Sequence, residues 1–280
     1  MSTIVLAYSG RRVSSNAIQW LARAYSADVV TVTLDVGQGE DLAALRARAV
    51  SYGATRAHAI DARDELVREF LLPTLSRGPF GDGVYPPIDA LTRPLIVRKL
   101  LEVARIEGTS VVAHASRDES IDAALRALNP GATILAPARE SSLDTHPPAH
   151  RIEQTLWGRM ISLRDGDTRP DDARPTVVKA STEPARLDIR FENGVPVAVN
   201  DVPMPPVELV ESLTLIAGRH GVGRLESRSN GRTLVYDAPA AAVLHAARTA
   251  LGEPTGVVRL SVLNGRCTLL DLNTEVVNLA

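Results

Sequence analysis

The sequence predicts an α/β protein: a doubly wound, Rossmann-like parallel sheet with a second, smaller α+β domain behind it. Three observations carry that expectation. Short β-branched runs alternate with helical patterns through the first half of the 280-residue chain. A small-residue bend, Tyr8-Ser9-Gly10, follows the first of those runs directly. Past residue 165 the alternation gives way to hairpin signals.

Taken in order, Thr3–Ala7, Val29–Leu34, Arg56–Ile60, Ser110–His114 and Thr133–Ala136 read as strands buried on both faces. Between them lie amphipathic stretches. Asn16–Tyr25 lines up Ile18, Leu21, Ala22 and Tyr25, and Asp41–Tyr52 opens on a capping acid. Asp64–Leu72, Leu91–Glu107 and Asp118–Leu128 follow, the last ended by Asn129-Pro130-Gly131. Ser141–Pro148 and Arg164–Pro175 are polar and proline-containing and read as loop or linker. Leu187–Phe191 and Val195–Val199 flank Asn193-Gly194, a hairpin signal. A helix over Pro206–Arg219 has proline at its start and Gly221 beyond its end. Short strands around Asn230-Gly231, an alanine-rich helix over Ala240–Leu251 and a hairpin of Gly256–Leu263 with Arg266–Leu272 complete the pattern. The domain boundary is placed near residue 165, giving 1–165 and 166–280.

Composition narrows the function. A net charge of −2 supplies no basic field for nucleic acid or an anionic membrane. The single cysteine, Cys267, excludes an internal disulfide and fits a reducing cytoplasm. No signal peptide is evident, and no apolar run nears the roughly 20 residues of a membrane helix. Asp144, His146 and His150 lie close together, but Pro147-Pro148 breaks the helical spacing a metal site would use, so no metal site is expected. Ser9, Ser14 and Ser15 have no nearby His–acid pair to activate a nucleophile. Cys267 alternates within a hairpin and reads as packed rather than reactive.

The informative stretch is Tyr8-Ser9-Gly10-Arg11-Arg12-Val13-Ser14-Ser15. A buried strand, a small-residue bend and a helix start form the layout of a phosphate-binding turn. Together with later pieces it resembles the argininosuccinate synthase family. Those pieces are Asp35-Val36-Gly37-Gln38, Tyr85 through Arg93-Pro94 with Lys99, and Leu156-Trp157-Gly158-Arg159. Asn193 to Ala198, Pro206-Val207-Glu208-Leu209, and Gly218-Arg219-His220-Gly221-Val222-Gly223-Arg224 with Tyr236 extend the likeness over both domains.

The resemblance implies an adenine nucleotide alpha-hydrolase-like first domain and a synthetase-type second one. It also implies a reaction in which ATP, with magnesium, activates the ureido oxygen of citrulline, pyrophosphate leaves, and aspartate displaces AMP. The phosphate and nucleotide residues would be Tyr8, Ser9, Arg11, Arg12, Ser14, Ser15 and Leu34. The family loop reads Ser-Gly-Gly-Leu-Asp-Thr-Ser, so Arg11 replaces a glycine and Val13 an acid. Arginine resists the positive φ and close phosphate approach that glycine allows. The two arginines either hold phosphate by their side chains or are solvated on a decayed loop. Leu34 stands for a small alanine, where it either crowds a purine or fills core.

For the substrate, the resemblance points to Tyr85, Asp89, Arg93, Arg151 and Tyr236. Asp89 and Arg151 replace hydroxyl residues, where they either alter the charge of the pocket or are exposed and unrelated to it. After Ala113-His114 the family's glycine-rich aspartate loop is shortened to Ala115 through Ser120, where Asp118, Glu119 and Asp122 read as helix-start acids. The expectation is a family relative that has lost citrulline–aspartate ligation and serves as a binding or partner protein, or as an altered enzyme on an amino-acid-like ligand. The alternative is a divergent ATP-dependent, AMP-forming C–N ligase. ATP and magnesium remain possible cofactors, a protein partner is possible, and a homodimer is expected rather than the family tetramer.

Overall fold

A computed structural model describes residues 2–77, 88–140, 143, 150–164, 181–229 and 231–273. The chain divides into two compact units, one of Met1–Ala62 with Thr92–Pro148, the other of Arg63–Leu91 with Ala149–Ala280.

The first unit is the expected parallel sheet. Strands β1 (Thr3–Ala7), β2 (Asp28–Asp35), β3 (Arg56–Asp61), β4 (Val111–His114) and β5 (Thr133–Leu135) run in the order β3-β2-β1-β4-β5. The central strands β1, β2 and β4 are near-continuously apolar and buried on both faces. The outer strands differ: β3, with Arg56, His58 and Asp61, and β5 are half-buried or exposed along most of their length. The expectation of burial on both faces therefore fails at the sheet's edges, where no further strand covers them among the described residues. Ile4, Leu6 and Tyr8 meet Ala17, Ile18 and Leu21 of helix α1 (Arg12–Tyr25) on one side. On the other, Val5, Val30 and Val32 meet Val97, Leu100 and Val103 of a longer helix. Each fully buried aliphatic side chain of this kind stabilises the fold by roughly 1.5–3 kcal/mol.

The register sets Ala7 beside both Val32 and His114. The chain winds outward in opposite senses from β1 and β4, so their carboxyl ends flank the switch point at which such sheets bind ligands.

Several helix limits differ from the sequence reading, each for a local reason. Helix α1 starts at Arg12, not Asn16, because Arg11 is extended (φ −72°, ψ 155°) and serves as the cap position. Helix α2 (Leu42–Ser51) is capped as expected, Asp41 accepting from the Ala43 amide at 2.8 Å. The 64–72 helix continues through α3 (Arg63–Glu65), a π-helical stretch Leu66–Leu71 and α4 (Leu72–Arg77). Helix α5 (Ile88–Ile106) carries Pro94 inside it, and the division between the units falls within this helix, after Leu91. Helix α6 (Ser120–Leu128) starts later than Asp118, since Asp118 caps it from outside, and α7 (Pro137–Glu140) is a single turn.

The second unit holds two antiparallel sheets. One, ordered β11-β12-β7-β6, comprises β6 (His150–Thr155), β7 (Gly158–Arg164), β11 (Arg224–Ser229) and β12 (Arg232–Asp237). The other, ordered β10-β9-β8-β13-β14, comprises β8 (Ala185–Glu192), β9 (Val195–Val199), β10 (Val202–Pro203), β13 (Gly256–Leu263) and β14 (Arg266–Asn273). In β13 every second residue is buried, the period-two pattern of a sheet covered on one face. Helices α8 (Pro206–Arg219) and α9 (Pro239–Leu251) pack together and supply that cover. Two of the three Asn-Gly hairpins lie wholly within the described residues and form with positive φ at each central residue, 51° and 80° at Asn193-Gly194 and 48° and 78° at Asn264-Gly265. Those values are what a two-residue turn matched to strand twist requires.

Strands β6 and β7 are additions to the elements the sequence predicts, because His150, Arg151, Glu153 and Gln154 interrupt any apolar alternation. They belong with the second unit because β7 pairs with β12. The chain passes between the units at 62/63, 91/92 and 148/149, and the expected boundary near 165 lies in a stretch outside the described residues. No described helix is long and apolar enough to cross a membrane.

Candidate functional site

The bend after β1 is held from four sides. The Tyr8 amide donates to Val32 O at 2.8 Å and Thr33 Oγ1 donates to Tyr8 O at 3.1 Å, so the strand's ladder extends one residue past its end. The buried Tyr8 hydroxyl lies 3.0 Å from Ser15 Oγ. The Ser14 hydroxyl donates to Arg11 O at 2.8 Å, which leaves its oxygen to accept from the Ser9 amide at 3.4 Å and the Ser9 hydroxyl at 3.2 Å. Arg48 closes the outside, donating to Gly10 O at 3.0 Å.

Only Gly10 needs glycine here. Its φ is +71°, and a Cβ would overlap the Leu45 side chain. Arg11, expected to resist the conformation, is in the ordinary extended region, so replacing the family's second glycine strains nothing. Arg11 and Arg12 are both exposed, and Val13 is half-buried. Tyr8, Ser9, Ser14 and Ser15 are thus brought together, with the arginines at the rim. Leu34 is half-buried and packs against the cluster that includes Val5, Val32 and Val97. Beyond it, Gln38 clasps the turn, its amide donating to Leu34 O and accepting from Val36 N, both at 2.8 Å.

The loop after β4 is built differently. His114, 2% exposed, places Nε2 2.6 Å from Asp122 Oδ1, while the Ser116 amide approaches Nδ1 at 3.3 Å. An amide donor at Nδ1 assigns the proton to Nε2, so a neutral imidazole donates to the carboxylate. Burial holds the His114 pKa below its ordinary value, against the opposing pull of Asp122. Burial also pushes Asp122 upward, but hydrogen bonds from Arg139 and His114 outweigh it, and the carboxyl stays below its usual range. Arg139 donates to Asp122 Oδ2 at 2.7 Å.

Around this pair the loop turns on itself. The Asp118 amide donates to Ser116 Oγ at 3.1 Å, the Ser120 amide to Asp118 Oδ1 at 2.9 Å, and Arg93 to Asp118 Oδ2 at 3.1 Å. The Ser120 hydroxyl is buried without a hydrogen-bond partner among the described residues. Asp122 is a first-turn acid of α6, as the sequence reads, and is also buried, paired with His114 and Arg139 and, at 3.9 Å, with Arg126. Sequence could not show the pairing with Arg139, which lies 17 residues away on another element.

The comparisons decide the ancestry. Residues 3–149 match the arginosuccinate synthase N-terminal HUP domain, and residues 153–267 match the arginosuccinate synthase C-terminal domain. The argininosuccinate synthase of Dictyoglomus turgidum is 35% identical over 281 residues, 89% of this chain and 71% of that protein. Its counterpart from Oceanobacillus iheyensis is 36% identical over 89% of this chain and 68% of its own length. This chain belongs to the argininosuccinate synthase family. A solved universal stress protein from Archaeoglobus fulgidus, in complex with dAMP, shares 15% identity over 49% of this chain and 97% of that one, at a TM-score of 0.27. That likeness is too slight to carry an argument.

Against the argininosuccinate synthase pattern, the substrate residues fall as follows. Arg93 belongs to the first unit, tied to Asp118. Tyr236 belongs to the second, on β12 opposite Met160 and Leu225, 2% exposed and packed with Ile88, Met160 and Leu234. Asp89 lies in the first turn of α5 and Arg151 on β6 opposite Ser162, with both side chains outside the described set. Tyr85, Asp144 and His146 lie outside the described residues altogether. Among the described residues no group of three or more His, Cys, Asp or Glu side chains is placed to hold a metal ion. Cys267 is partly buried, and burial pushes its thiol up to about 11, away from a reactive thiolate.

Proposed function

We propose that this family member has left the ligation of citrulline to aspartate and binds or converts another amino-acid-like ligand. The observation that supports this most is the loop after β4. Where the resemblance implies a glycine-rich loop offering amides to aspartate, this chain presents the carboxylates of Asp118 and Asp122, tied to Arg93, Arg139 and His114. A dicarboxylate arriving there would meet like charge and arginines already committed to other partners.

A second reading, a divergent AMP-forming C–N ligase, is favoured by the bend after β1. Its residues fit a phosphate: Gly10 keeps the left-handed turn, a helix of 14 residues starts at Arg12, and Arg11 and Arg12 stand at its mouth. ATP, when bound, would supply the adenylyl group that turns an oxygen into a leaving group. Magnesium would come with the phosphates, since Val13 offers no carboxylate.

Pyrophosphate release with ATP and magnesium tests both readings. With citrulline and aspartate no argininosuccinate should form above the blank, and steady product formation would overturn the first reading. Release with a different amino acid acceptor would establish the second, and calorimetry showing no ATP binding would remove it.

A further inference from the structure

A helix leaves its last carbonyls without a partner inside the helix. At the end of α8 each of them is met, and one of the donors is unusual. Arg219 O accepts from the Ser181 amide at 2.9 Å and Gly218 O from the Gly221 amide at 3.0 Å. Ala217 O accepts from the His220 and Val222 amides at 3.0 and 3.1 Å. Because the His220 amide turns to Ala217, Ile216 O is met instead by the His220 ring, with Nδ1 at 2.8 Å.

The other ring nitrogen, Nε2, lies 3.0 Å from Glu183 O, in the segment that leads into β8. That carbonyl also accepts from the Ser181 hydroxyl at 3.1 Å. His220 is 7% exposed, and among the described residues these two carbonyls are the ring's hydrogen-bond partners. A neutral imidazole carries one N–H and one lone pair. In either tautomer one nitrogen would set its lone pair against a carbonyl oxygen. Only the doubly protonated ring donates to both.

We propose that His220 is the imidazolium in the folded chain and works as a proton-operated latch, fastening the lead-in of β8 onto the end of α8. Burial opposes the charge. Both ring bonds are charge-assisted, however, and the ring sits at the negative end of a 14-residue helix. The charges on the surrounding elements belong to Arg219, Glu183, Arg224 and Arg266, all exposed to screening by solvent, and to Asp237, paired with Arg224 at 3.9 Å. The two carbonyls therefore set the ring's state. Loss of the proton turns one ring bond into a repulsion and frees the lead-in. The turn between β13 and β14 rests on the same residue, its Gly265 amide donating to His220 O at 2.7 Å, so release reaches the hairpin as well.

Heteronuclear NMR of the histidine rings in the full, unmodified chain tests this without a substitution. At about pH 7.5 an ordinary histidine is about nine-tenths neutral, yet both ring nitrogens of His220 should carry protons. A single neutral tautomer there overturns the proposal. Thermal melts give a second arm. His220→Gln keeps a neutral N–H donor and takes up no proton, and every other titrating group is common to both chains. A group protonated in the fold contributes in acid and loses that contribution as pH rises through its folded value. The unmodified chain should therefore melt above the variant in mild acid, and that lead should shrink by about half or more as the pH is raised to about 9. A lead that stays constant or grows overturns the latch. Should the variant not fold, the NMR result decides alone.

Discussion

Two neighbouring loops, one after β1 and one after β4, leave adjacent strands of the same sheet and have diverged in opposite ways. The β1 loop carries Arg11 where the family resemblance implies glycine, yet Arg11 at φ −72° is unstrained and the turn is still made at Gly10. The β4 loop, which the family resemblance reads as shortened, holds a buried His114–Asp122–Arg139 network and a surface pairing of Arg93 with Asp118. A substitution matters through the backbone state and the partners it meets.

The largest expected effect breaks the β4 side of that comparison. Asp122→Ala would strand the buried His114 donor and remove the ion pair with Arg139, costing about 3 kcal/mol in urea unfolding. A cost below about 1 kcal/mol would show that the two loops tolerate change alike.

A smaller effect concerns pH. The folded pKa of His114 is lowered, so its neutral form stabilises the fold above the ordinary value of 6.5, and that contribution drains away as pH falls below it. The folded pKa of Asp122 is also lowered, so its contribution is present above 3.8 and lost as pH drops through the folded value. Stability should therefore decline on the acid side, first through His114. His114→Gln keeps an N–H donor but takes up no proton. It should remove up to about 1.4 kcal/mol per pH unit of slope between denaturation curves taken near neutrality and in mild acid. An unchanged slope would show that His114 does not titrate with unfolding.

The smallest effect sharpens the β1 side. Arg11→Gly should shift stability by no more than about 0.5 kcal/mol, because the native backbone asks nothing of glycine there. A gain larger than that would mean arginine strains the bend after all.

The fold was legible because its signals are local. Alternating β-branched runs, the Asp41 cap and the two Asn-Gly turns each state a backbone preference within a few residues, and each formed where it was read. Strands β6 and β7 escaped because their charged residues break alternation and their pairing depends on β12, some 70 residues further along. The site was half legible. Tyr8, Ser9, Ser14 and Ser15 lie in one bend and come together by proximity in sequence. Asp122, Arg139 and the role of Arg93 depended on which helices the sheet brings to its carboxyl edge.

By itself the sequence determined the ancestry, the doubly wound sheet and the position of the bend, since motif order, hydrophobic period and turn chemistry are properties of neighbouring residues. Only the tertiary structure decided that Arg11 is unstrained, that Asp122 is buried against His114 and Arg139, and that β7 pairs with β12. Those are matters of backbone angle, burial and strand order, and each is set by residues distant in the chain.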